Sequence, residues 1–501
     1  MSSLVEAALA ELKDRLGKLT DLRRTEAVLV WDMTVFMPPG GGPTRAAQLG
    51  TIEELIHAHS VDDRLGELFE ELESYAASLP YDSDDASLIR VAKRDWSRLR
   101  RVPAELAVDI AKTAAESYEV WVKAREDSDF GPFRPALERI VDLRRQYIEC
   151  FAPYDDAYDV LLEDYEPGMR TSEIRELFSV LAPELQSLVG EHATDEHDAF
   201  MDGPFPIDAQ DKLSRELVEA FGATWDQFRL DTTVHPFEVT FGLGDIRLTT
   251  RYSEDELSSV FTAMHETGHG IYEWGVSKTL ERTPLAAGAS ATLHESQSRL
   301  WENVVGRSLP FWRWFYPRLQ ETFPGRFGDV SLESFHRAVN RVRRSPVRVD
   351  ADETSYGLHV ILRFELEQEL LSGRLAVADL PEAWNSRFEE LMGIPVPNDA
   401  LGVLQDAHWS GGGFGYFPTY LLGTVLSVQI WEKARAAIPN VEEQIERGEF
   451  GELHSWLREN IYSLGRKLDS PETIERVVGG PIDPKPYLAY LRDKLELFAA
   501  A

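Results

Sequence analysis

Apolar residues recur every three to four positions through most of the chain. Leu4, Ala8, Leu12, Leu16 and Leu19 mark that spacing in LVEAALAELKDRLGKL; IRELFSVLAPELQSLV from Ile174 and LHVILRFELEQELLSG from Leu358 repeat it. A period near 3.6 gathers such residues on one face of an α-helix. Helix ends fall at glycine or proline, as around Gly306–Pro310 and at Gly373. One stretch breaks the habit. Residues 230–252, LDTTVHPFEVTFGLGDIRLTTRY, are rich in Thr, Val and aromatics, and Gly242–Gly244 in their midst predict a hairpin. No repeat with a period of roughly 20–50 residues appears, and the Pro/Gly run at 38–43 is too short for an inter-domain linker. The acidic stretch 194–211 reads as a solvated connection. The pattern predicts one large, mainly α domain over 1–501, with a small β element before a helix that starts in the 250s.

That helix carries the chemistry. Ser253 and Glu256 have the spacing of a capping box, which predicts a helix from there through 274. Within it lies FTAMHETGHGIYEW, with His265 and His269 four positions apart. Four residues on an α-helix fall about 40° from one line, so both imidazoles face one side. Two such nitrogens suit Zn²⁺ at roughly 2.0–2.1 Å. Glu266 points to a neighbouring direction, where it reaches a metal-bound water as general base. A catalytic zinc keeps three protein ligands and one open position. No third histidine follows in GIYEWGV, so the next helical pattern, TLHESQSRLWENVVG ending at Gly306, must supply the third ligand. Glu295 starts it and is the candidate. His294 points about 100° away and suits a hydrogen bond to a ligand. Glu302, two turns on, reads as a solvated or capping charge.

Composition narrows the partners. The chain is 43% hydrophobic and 28% charged, ample for a sizeable core. No run approaches the roughly 18–20 apolar residues of a membrane span, and the amphipathic N-terminus lacks a signal-peptide core. A single cysteine, Cys150, fits a reducing cytoplasm. The net charge of −34 disfavours nucleic acid and anionic lipid. Of 52 basic residues 41 are arginine, and an acid-rich, lysine-poor surface suits a halophilic, salt-rich cytosol.

Further motifs stand in order along the chain: HPF at 235–237, DIRLT at 245–249, HETGH at 265–269, HESQ at 294–297, VRVDAD at 347–352 and GVLQDAHW at 402–409. With LVWDMTVFMPPGGGPTRAAQ and YDVLLEDYEPGM, this series resembles the M32 metallocarboxypeptidases over nearly the whole chain. The resemblance implies a mainly helical fold with a deep groove, like the neurolysin and angiotensin-converting-enzyme group. It also implies a homodimer, a divalent metal (Zn²⁺, with Co²⁺ or another ion as substitute), and release of C-terminal residues other than proline from short peptides. The GGGFG run at 411–415 is richer in glycine than the family pattern, which leaves that loop's geometry open.

Roles follow from that chemistry. The developing oxyanion needs donors, and His408 and Tyr420 are the candidates, with Tyr416 in reserve. A free C-terminal carboxylate is best held by a bidentate arginine; Arg348 is the first choice and Arg247 the second. Asp350 and Asp352 either orient Arg348 or pair with neighbours. Asp245 and Arg247 share a strand face, consistent with a small buried ion pair. His235 either lines the groove end or opens a strand. No strand–loop–helix with a lysine accompanies the glycine run, which excludes a phosphate cradle. Two alternatives remain at this stage: an oligopeptidase or dipeptidyl carboxypeptidase with the same chemistry, and a helical interaction protein with a structural zinc.

Overall fold

The computed structural model describes residues 3–499 and is mainly helical, with one three-stranded sheet. The expected N-terminal helix, α1, runs Ser3–Val35 and buries Leu9, Leu12, Leu16 and Leu19 on one face. The three strands are β1 (Phe228–Thr232), β2 (Glu238–Gly242) and β3 (Asp245–Thr250). β2 and β3 form the predicted antiparallel hairpin across Gly242–Gly244. β1 adds in parallel on the other side of β3, pairing Leu230 with Leu248, so the order is β1-β3-β2.

The chain folds as two compact units, each assembled from three separate segments. Unit 1 comprises Met1–Arg100, Asp198–His336 and Ile430–Gly479; unit 2 comprises Arg101–His197, Arg337–Gln429 and Gly480–Ala501. Unit 1 holds the sheet and the two elements that follow it, α2 (Ser258–Gly275) and α3 (Ala291–Arg299). A π-helical turn, Leu300–Val305, continues α3 to Gly306. α2 lies on the sheet with Gly270 beneath Ile246 and Leu248, and buries Val260, Met264, Ile271 and Tyr272. Unit 2 holds α4 (Tyr356–Ser372), closed by Gly373 in the left-handed conformation, φ 75°. Among the described residues no helix is long and apolar enough to cross a membrane.

Two local expectations are corrected. α2 starts at Ser258, not Ser253. Ser253 and Glu256 instead pair as an isolated β-bridge, and Ser253 Oγ accepts the Asp255 N–H, so the residues expected to cap the helix close a tight turn before it. The acidic stretch 194–211 is not wholly a connection, because a helix opens at Ile207 and Gln210 on it is buried. Gln210 Nε2 donates to the carbonyls of Phe205 and Ser253, which anchors the stretch to that same turn.

Candidate metal centre

α2 and α3 touch where Gly268 stands. A Cβ there would lie 2.7 Å from the Gln297 carbonyl oxygen and from Ser298 Cα, so only glycine permits this approach. The close contact brings Glu295 to the two histidines. Its Oε2 lies 3.6 Å from Nε2 of both His265 and His269. One ligand atom from each of the three residues lies within 4.8 Å of the others. Bonds of roughly 2.0–2.1 Å in tetrahedral array require ligand atoms about 3.3–3.4 Å apart, so the three donors fit such an ion.

The hydrogen bonds behind the ligands point each lone pair inward. His265 Nδ1 is 2.9 Å from Glu302 Oε2; a carboxylate only accepts, so Nδ1 carries the proton and Nε2 is left for a metal. His269 reaches the same state through a relay. His294 Nε2 lies 2.6 Å from Glu273 Oε1 and donates to it, which leaves His294 Nδ1 as acceptor for the Nδ1–H of His269 at 2.9 Å. Arg299 Nε donates to Glu295 Oε1 at 2.6 Å and holds that carboxylate with Oε2 turned toward the histidines. Burial alone would raise Glu302, but the Arg299 charge and the bond to His265 hold its carboxyl well below the usual range.

Glu302 is therefore no solvated charge; it is a largely buried partner of His265 and Arg299. Its removal should lower metal affinity about 10–100-fold, the usual effect of losing a partner behind a ligand. Titrating the apo forms of wild type and Glu302→Ala with Zn²⁺ checks this; equal affinities would assign Glu302 to stability alone. Glu266 is 6% exposed, and its side chain makes no hydrogen bond among the described residues. Burial pushes its carboxyl up to about 7, with the His265 charge working in the opposite direction.

Other candidates divide between the units. In unit 1, Arg247 donates to both oxygens of Asp245 and lies over the Trp31 ring at 4.8 Å, and His235 is exposed in the loop before β2. In unit 2, Arg348 is buried. Its Nε and Nη2 donate to Asp406 Oδ1 at 3.0 and 2.8 Å, and its Nη1 to the Tyr356 hydroxyl at 3.1 Å. Arg363, 0% exposed, takes the other oxygen of Asp406, Nε to Oδ2 at 2.7 Å. The orienting carboxylate is thus Asp406. Asp352 accepts from backbone N–H groups of Arg343, Thr354 and Ser355 instead.

His408 Nε2 is 3.1 Å from the Tyr420 hydroxyl, and the Tyr416 ring packs at 5.1 Å from that of Tyr420. Burial lowers His408 to about 4, so it is neutral at pH 7. The glycine run now has a geometry. Gly415, φ 90°, presses on the Leu161 backbone, and a Cβ there would approach the Leu161 carbonyl to 2.9 Å. Its N–H donates to Glu367 Oε2 at 3.0 Å, while Trp409 Nε1 donates to Oε1 at 2.8 Å. One buried carboxylate thereby ties both ends of the loop between His408 and Tyr416.

Comparison with known proteins agrees with this centre. The family model described as carboxypeptidase Taq (M32) metallopeptidase matches residues 11–495. The chain is similar to thermostable carboxypeptidase 1 of Thermus thermophilus, 39% identical over 98% of both chains. It is 34% identical to carboxypeptidase 1 of Bacillus subtilis over 97% of both. Among solved structures, the M32 carboxypeptidase from Deinococcus radiodurans R1 superposes with a TM-score of 0.94 at 37% identity, covering 99% of this chain and 100% of that one.

Proposed function

The chain belongs to the M32 metallopeptidase family and is a metallocarboxypeptidase, and we propose that it releases single C-terminal residues other than proline from short peptides with Zn²⁺ as its ion. What carries the assignment is the convergence of His265 Nε2, His269 Nε2 and Glu295 Oε2, with Glu302 and the His294–Glu273 pair fixing the tautomers. A nitrogen-rich set with one carboxylate suits zinc better than magnesium or calcium, which prefer oxygen. One family model spanning 11–495 supports a single peptidase domain built from both units. Homodimerisation and a salt-rich cytoplasm belong to the same proposal.

When bound, the ion supplies an acidified water and polarises the scissile carbonyl. Glu266 accepts the proton of the attacking water and returns it to the departing amine. His408 and Tyr420 donate to the negative charge developing on the carbonyl oxygen, with Tyr416 in reserve. Arg348 holds the terminal carboxylate. Asp406 and Tyr356 occupy three of its five N–H groups, leaving one on each terminal nitrogen. His235 and Arg247 serve the remainder of the peptide.

The decisive experiment compares free-acid and amidated copies of one blocked peptide. Wild type should strongly prefer the acid. Arg348→Ala should lose about 10- to 150-fold in kcat/KM on the acid, the worth of a charge-assisted contact of roughly 1.5–3 kcal/mol. The amide should change little, and Arg348→Lys should rescue little because an ammonium lacks the planar fork. Equal losses on both peptides would make Arg348 structural and pass its role to Arg247. A wild type that cuts both forms equally would replace the carboxypeptidase assignment by an endo-acting oligopeptidase.

A further inference from the structure

In unit 2, α4 turns two charged side chains toward one segment of the chain. Arg363 and Glu367 stand four residues apart and share a face of the helix, a spacing at which opposite charges commonly bond each other. Among the described residues these two do not. Each reaches into residues 406–415 instead. Arg363 Nε donates to Asp406 Oδ2 at 2.7 Å, two residues before His408. Glu367 Oε1 accepts the Trp409 Nε1–H at 2.8 Å, one residue after it, and Oε2 accepts the Gly415 N–H at 3.0 Å. The Tyr158 hydroxyl donates to Oε2 as well, at 2.6 Å, and its ring packs against Phe364 of the same helix. His408 is thus bracketed by two anchors on one helix face.

His408 needs such anchors. Its Nε2 meets the Tyr420 hydroxyl at 3.1 Å, but its buried Nδ1 has no partner among the described residues. Its ring lies 4.4 Å from that of Phe417, which follows Gly415 by two residues and opens the helix bearing Tyr420. Where His408 and Tyr420 meet therefore depends on backbone that Glu367 holds at both ends. Glu367 is 0% exposed and has three neutral donors, with no ion pair among the described residues. Burial pushes its carboxyl up to about 7 against the pull of those donors, so an ionised group here works against stability. Only a carboxylate offers an acceptor at both oxygens; a glutamine of the same shape sets an N–H against one of the donors. We propose that Glu367 is a positioning residue of the reaction, which sets the meeting of His408 and Tyr420 by fixing the segment that joins them. The proposal rests on the reading of those two groups as donors to the developing oxyanion.

Glu367→Gln in the metal-loaded enzyme tests this, assayed well below its own melting temperature. Its kcat should fall about 10–100-fold, the loss that a displacement of about 1 Å in a reacting group allows. KM for a free-acid peptide and the preference for acid over amide should hold, because Asp406 keeps both of its arginines. Glu367→Asp, with two acceptor oxygens, should recover part of the loss. In a His408→Ala background Glu367→Gln should cost little more, since it acts through the group it positions. A lowered melting temperature with unchanged kcat would make Glu367 structural and overturn the proposal, as would equal losses in both backgrounds. If His408→Ala alone leaves kcat intact, the oxyanion reading fails first and takes the proposal with it. Nitrogen-15 NMR of the histidines in the metal-free protein gives a readout without turnover. The His408 signals, identified by their loss in His408→Ala, should move in Glu367→Gln; signals that stay in place overturn the proposal. Should Glu367→Gln not fold, Trp409→Phe removes one donor, leaves the carboxylate its other two, and should show the same pattern with a smaller loss in kcat.

Discussion

Glu266→Gln should retain its metal and lose about 10²–10⁴-fold in kcat, the contribution typical of a positioned general base. Three features of the site separate it from a structural carboxylate. It follows His265 directly on α2, next to the metal ligands. It is buried, and no hydrogen bond of its side chain among the described residues gives it a role in holding the fold. Its neighbours Glu295 and Glu302 are both held by Arg299, with Ser298 Oγ donating to the first and His265 Nδ1 to the second, whereas the Glu266 side chain is left to act on a substrate. Glutamine has nearly the same shape, so the packing between α2 and α3 and the ligand set should persist. Metal content by mass spectrometry and single-turnover rates on one blocked peptide decide the matter. Full occupancy with unimpaired turnover would falsify the role; lost occupancy would move Glu266 into the framework that holds the ion.

The candidate ligand set, which the fold brings together, is legible in the sequence because it is local. His265 and His269 lie four apart on a helix, so periodicity nominates them, and Glu295 is chosen over His294 and Glu302 because it opens the next helical pattern. The groups behind the ligands are harder to read, for differing reasons. Glu302 carries a signal that is easily discounted: seven residues from Glu295 is about two turns, with Arg299 between them, so all three share a face. Such a charged stripe usually faces water, and only the close crossing at Gly268 turns this one inward. Its continuation as a π-turn has no sequence signature of comparable strength. Glu273 sits on α2 beyond the histidines, and its use depends on where His294 lands from α3. Asp406 is further still from its partners, 58 and 43 residues along the chain. The failed capping box at Ser253 shows the converse. Spacing alone nominates a cap, but the segment's own turn and the Gln210 anchor take those groups first.

Asp406→Ala should destabilise the fold by about 3–5 kcal/mol, the usual cost of removing one member of a buried ion cluster. Asp406 is shared by Arg348 and Arg363, one oxygen to each, and Arg363 is fully buried. Without the carboxylate two guanidiniums remain near each other with no compensating charge. Burial would raise the Asp406 carboxyl, yet the two arginines hold it far below the usual range. The sign of its pH dependence follows. A depressed folded-state pKa contributes stability that is complete above the unfolded value near 4 and fades as pH falls through the folded one. Wild type should thus lose stability in acid through this group, and Asp406→Ala should lack that part of the dependence. Denaturant unfolding at pH 7 and at about pH 2, below the unfolded value, measures both effects. A change below about 1 kcal/mol at pH 7 would mean that water or a neighbouring group compensates the arginines. The consequence for catalysis is separable: Arg363→Met should spare the Arg348–Asp406 contact and the preference for free acids, whereas Asp406→Ala should weaken that preference by freeing Arg348 to reorient.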